Sequence, residues 1–174
     1  MLRVPIREAI DTGQPLSAVE LEGIRAQFGA REGYADTLIL LSADAADHIS
    51  TAATWLLKNF LETGGSLASV QVERLIERLP AVTARGAQLH VCQSVRFLEI
   101  PPNYAASLLV WLRPLRSSKH PFLRAWSIDA TCEMALQRPN AMPEARNVLE
   151  AALSDPSASV KARARAIARK FGDT

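Results

Sequence analysis

The chain has 174 residues, 48% of them hydrophobic and 22% charged, with a formal net charge of +2. That length and apolar content suffice for a sizeable core without metal or disulfide staples, and the only two cysteines, Cys92 and Cys132, stand in neither a ligand nor a disulfide spacing and read as buried thiols. No apolar run reaches the roughly 18 residues of a membrane span, and Pro5, Arg7 and Glu8 fall where a signal peptide would be apolar, so a cytoplasmic protein with no membrane contact is expected.

In chain order, segments 17–28 and 34–46 both read as helices, divided by Gly29, Arg31 and Gly33. Neither matches the pattern that follows. Residues 1–30 are therefore read as an N-terminal helical cap, because terminal repeats present a polar outer face, and residues 31–174 as a run of repeats within one domain. From residue 49 onward an apolar ladder sets in. Ile49, Ala53, Leu56, Leu57 and Phe60 occupy offsets 0, 4, 7, 8 and 11, one stripe of an α-helix. The same offsets recur as Ala87, Val91, Ser94, Val95 and Leu98, then as Leu123, Ser127, Ala130, Thr131 and Met134, and finally as Val160, Ala164, Ile167, Ala168 and Phe171, at steps of 38, 36 and 37 residues.

A second ladder lies between the members of the first. Val72, Leu75, Ile76 and Leu79 recur as Leu108, Trp111, Leu112 and Leu115, and again as Ala145, Val148, Leu149 and Ala152. Each unit thus holds an A helix and a B helix, and one pair alone cannot bury both stripes, so stacked neighbours must supply the core. Gly64-Gly65, Pro80, Pro101-Pro102, the 117–121 segment, Pro139-Asn140 and Asp155-Pro156 fall between the ladders, where helices should stop. Ser157 or Ser159 is placed to cap the last helix. The expected fold class is all-α, and no strand pattern occurs.

These residues resemble HEAT or armadillo-like repeats. The match is clearest at Asp155-Pro156 followed by Val160-Lys161, Ala164, Ala166 and Ile167; Leu123-Arg124 with Ser127 and Ala130 is a weaker copy, and Gln88 and Ser50 replace the basic residue in the earlier units. The resemblance covers about residues 31–172. It implies a right-handed α–α superhelix of about four helix pairs, with B helices lining a concave binding face, and it is silent on activity.

Offsets 1, 5 and 9 of the B ladder point away from the core stripe and are expected to face solvent or a partner. They carry Lys58, Arg96, Arg124, Lys161, Arg165 and Arg169, a candidate basic strip, interrupted by Ser50, Thr54, Gln88, Cys92, Ile128 and Cys132. Residues 1–102 hold 9 Lys/Arg against 12 Asp/Glu, a net −3, while residues 103–174 hold 11 against 6, a net +5. A protein partner with an acidic segment would suit such a strip, and so would a phosphate backbone, read without base contacts. A secondary cluster, Trp126, Asp129 and Arg163, shares residue types with the HEAT-like alkylpurine DNA glycosylases, in which a carboxylate stabilises a cationic sugar. Only the types are shared. His48, His90 and His120 lack a second ligand at helical spacing, so no metal or cofactor is expected, and Trp55 and Trp111 read as packing residues. The sequence-level expectation is a non-catalytic protein-interaction module.

Overall fold

The computed structural model describes residues 2–172, and among them every regular element is helical. Ten α-helices follow one another: α1 (Arg3–Ile10), α2 (Ala18–Phe28), α3 (Tyr34–Leu41), α4 (Asp47–Glu62), α5 (Ser69–Arg78), α6 (Arg85–Ser94), α7 (Ala105–Leu115), α8 (Pro121–Gln137), α9 (Met142–Leu153) and α10 (Ala158–Gly172). No described helix is long and apolar enough to cross a membrane.

Both ladders are buried where they should meet. On the B helices, Ile49, Leu56, Ala87, Met134 and Val160 have no exposed surface. On the A helices, Val72, Leu112 and Ala145 have none either. Helix α4 packs on α6, α6 on α8 and α8 on α10, so the B helices form one layer. The A helices lie against it: α3 packs on α4, α7 and α9 flank α8, and α5 touches both α3 and α7. At the N-terminal end, α1 and α2 pack on α4, and α1 also reaches α3.

Hydroxyls inside the ladders are satisfied within their own helices. Ser94 donates to the His90 carbonyl at 2.8 Å, Ser127 to Arg124 at 2.9 Å and Thr131 to Ser127 at 2.8 Å, the back-bonding that lets Ser and Thr sit in a helical core. Gly86 opens α6 at the closest approach to α4, where a Cβ would lie 2.7 Å from Thr51 Cγ2.

Two local details depart from the sequence reading. Helix α3 stops at Leu41 rather than near residue 46, because Ser42 turns its hydroxyl onto the Ile39 carbonyl at 2.8 Å and Asp44 accepts the Ala46 N–H at 3.0 Å. Helix α6 gives way to a 3₁₀ turn over Val95–Phe97 before the last ladder residue, Leu98, is reached.

Core truncation should separate ladder from surface. Leu56→Ala, at a fully buried site, is expected to cost about 2–5 kcal/mol in urea unfolding, whereas Val110→Ala, 60% exposed on α7, should leave the midpoint unchanged.

Candidate functional site

The six basic residues have different surroundings: Arg96, Arg165 and Arg169 are exposed, and Lys58, Arg124 and Lys161 are partly buried. Ser50 and Thr54 on α4, Cys92 on α6, and Ile128 and Cys132 on α8 occupy the same offsets and are all buried. This flank faces the next helix pair instead of solvent. Thr54 meets His90 of α6 at 3.3 Å, the Cys132 thiol lies 3.9 Å from the Ala145 carbonyl of α9, and Ile128 shares a cleft with Val148 and Ala152 of α9. A B helix in a layer is covered on its A-facing stripe and along its sides, so positions next to the stripe are used for stacking.

Arg124 accordingly serves a structural contact. Its guanidinium grips Asp155 through two bonds of 3.0 and 2.9 Å and donates to the Ser118 carbonyl at 2.7 Å. Arg124 in turn holds the Asp155 carboxyl below its ordinary range, helped by the Ser157 N–H and the charge of Lys161. Lys58 pairs with Glu62 one turn on, at 2.6 Å. Arg165 and Arg169 are exposed on α10, on the flank that in α8 is covered by α9.

What the fold does bring together is Arg96 with the Trp126, Asp129 and Arg163 cluster. The sequence reading kept Arg96 apart, in the strip. Asp129 is 1% exposed and ion-paired with Arg96 from the turn after α6, and with Arg163 of α10 at 3.5 Å. Both guanidiniums also lie over the Trp126 ring, 4.9 and 3.7 Å from its centroid. One turn further along α8, Glu133 accepts Lys170 of α10 at 2.7 Å. Two acids on the central B helix therefore tie α6 and α10 to it. Burial raises the Asp129 carboxyl above its usual value, while Arg96 and Arg163 pull it back down. Trp55 on α4 repeats the motif in simpler form, with Lys58 Nζ 6.0 Å from its ring.

Three recesses lie between successive B helices. One is bounded by Trp55 and Thr51 of α4, His90 of α6 and the segment between α1 and α2. The next lies between Gly86 and Leu89 of α6 and the start of α8, and the third between Phe122 and Trp126 of α8 and Ala162 and Arg163 of α10. Phe122 is 66% exposed at the edge of the last two. The remaining histidines have separate partners: His48 pairs with Asp11 at 3.0 Å and His120 meets Arg85 at 2.9 Å. Both thiols are buried, and burial drives Cys132 up to about 12 and Cys92 higher still, which removes their nucleophilicity.

Comparison with known protein families, characterised proteins and solved structures finds no match.

Two outcomes test this arrangement. Asp129→Asn leaves the Arg96 and Arg163 side chains, 31% and 32% exposed, without their shared counter-charge, so thermal or urea unfolding should show a loss of about 1–3 kcal/mol. Burial, then the charge of Lys58, lowers the His90 imidazole to about 4, against an ordinary 6.5, with the Thr51 carbonyl and Glu62 opposing. Between those values only the unfolded chain takes up the proton, so this stability is complete above about pH 6.5 and falls as pH drops towards 4. Relative to His90→Gln, the wild type should lose about 2–3 kcal/mol more between about pH 7.5 and 4.5, read from urea midpoints.

Proposed function

We propose that the protein is a HEAT-like helical-repeat module, a right-handed α-solenoid without catalysis of its own, that holds an acidic segment of a protein partner on the exposed face of α4, α6, α8 and α10. The observation that carries this reading is the pairing of half-buried aromatic rings with cations along that face: Trp55 beneath Lys58, and Trp126 in contact with both Arg96 and Arg163, each guanidinium within 4.9 Å of its ring. Such surfaces combine apolar contact area with positive potential, and Trp and Arg dominate interface energetics. The 36- to 38-residue period and the sequential packing of the B helices support the repeat class. A cytoplasmic setting belongs to the same proposal. The acidic residues attracted would meet Arg96 and Arg163, which together outnumber the single charge of Asp129.

Against base excision stands the position of Asp129, whose side chain is 2% exposed and held by two guanidiniums, so its carboxylate is not offered to a sugar. Phosphate-backbone binding is the second reading. Phe122, 66% exposed beside Trp126 and Arg163, favours it, since bases stack on such rings.

Affinity capture with the wild type, a Phe122→Ser/Arg163→Gln variant and an Arg113→Glu control on the opposite layer tests the proposal. A nuclease-resistant protein partner retained by wild type and control, and reduced about tenfold or more in the face variant, is expected. Nuclease-sensitive retention would transfer the face to nucleic acid, and retention equal in all three would remove it from binding altogether.

A further inference from the structure

The recess beside His90 is larger than the two grooves further along the layer. It is a half-open recess of about 470 Å³, within the range of small-molecule sites. Its walls come from two directions. Helix α4 supplies Thr51, Ala52 and Trp55, and the segment joining α1 to α2 supplies Gly13, Pro15 and Leu16. That segment is fixed at both ends. Asp11, just before it, pairs with His48 on α4 at 3.0 Å and with Arg7 at 2.9 Å, and Arg7 also reaches Asp44. Ser17, just after it, forms a reciprocal cap with Glu20. Gly13 takes the left-handed conformation, with φ of 73°, that lets the chain turn over the opening.

The polar group of this cavity has a defined state. Thr54 has two carbonyl acceptors for its one hydroxyl proton, Ser50 at 2.8 Å and Thr51 at 3.0 Å, so toward His90 Nδ1, 3.3 Å away, its oxygen acts as acceptor. The imidazole proton therefore sits on Nδ1. Neutral His90 is left with Nε2 as an unprotonated acceptor, and burial beside Lys58 keeps the ring from taking up a second proton. Asp47 and the Asp11-paired His48 also line the recess, and against its mainly apolar walls the Trp55 indole and the His90 acceptor suit a flat ring that can donate.

We propose that this cavity binds an uncharged, planar aromatic compound of one or two rings, which packs against Trp55 and donates one N–H or O–H hydrogen bond to His90 Nε2. This site shares Trp55 with the face proposed for the acidic segment but draws on no ion pair of the Trp126 cluster, and uptake of a small neutral ring is read without any protein partner.

Indole is the probe, with 1-methylindole as its donor-free counterpart, and both are titrated into the full chain while saturation transfer and the protein's amide NMR spectrum are recorded. Indole should bind at low-millimolar concentration or below, moving the signals of Thr51, the Trp55 side chain and His90, and 1-methylindole should bind about tenfold more weakly because His90 would be left unpaired. His90→Phe, which keeps a ring and removes the acceptor, should make the two probes equal. Leu16→Trp, which fills the space, should abolish both. Equal affinity of the two probes for the wild type, or no indole binding at low-millimolar concentration, would overturn the proposal without reference to any variant.

Discussion

The close side-by-side packing of α4, α6, α8 and α10 governs where every other side chain can go. Helices in such a layer touch along their flanks, so the flanks must be small or shaped to interlock. The chain meets this requirement with Thr54, buried against His90 of α6, and with Gly86, where a Cβ would lie 2.7 Å from Thr51 Cγ2. The A helices need less precision. They contribute long apolar stripes such as Leu75, Leu108 and Leu112, which close the core from one side.

Once the B layer is set, its charges follow. Positions facing neither the A helices nor a flank remain for polar groups, and there α8 carries Asp129 and Glu133, met by Arg96 from one neighbour and by Arg163 and Lys170 from the other. A buried ion pair adds little net stability over an apolar replacement, yet breaking one is costly. The cluster thus specifies register: a slip of one residue between α8 and α10 would part Arg163 from Asp129 and Lys170 from Glu133 together. The same constraint makes the Trp126 ring a fixed platform.

The ladders were legible because a stripe at offsets 0, 4, 7, 8 and 11 has a single physical meaning, and Leu56, Val91, Met134 and Val160 are buried as that meaning requires. Helix α1 was harder to see, since its eight residues bury only Ile6 and Ile10. The partners of the basic residues were hidden for a different reason. A helical wheel gives a side chain's angle from the core but not which neighbour covers it, and Arg124 is claimed by Asp155, 31 residues away. Trp126, Asp129 and Arg163 could be grouped because Trp126 and Asp129 share one side of α8 and Arg163 holds the repeat position of Trp126 on the next B helix. Arg96 could not be added to them, because it acts from the 3₁₀ turn that ends α6, where the helical angle no longer holds. The His90 cavity was beyond reach, since half of its wall is an irregular segment whose path depends on the Asp11–His48 and Arg7–Asp44 ties.

The side-chain hydrogen bonds that join one helix pair to the next all have similar reach along the chain. Thr54 to His90 spans 36 residues, Arg124 to Asp155 31, and Gln137 to the Leu98 carbonyl 39. None of the described bonds ties the first helices to the last. Assembly therefore has a natural direction during synthesis: each helix pair can dock as soon as it emerges, onto a neighbour already in place, with little loop-closure entropy to overcome.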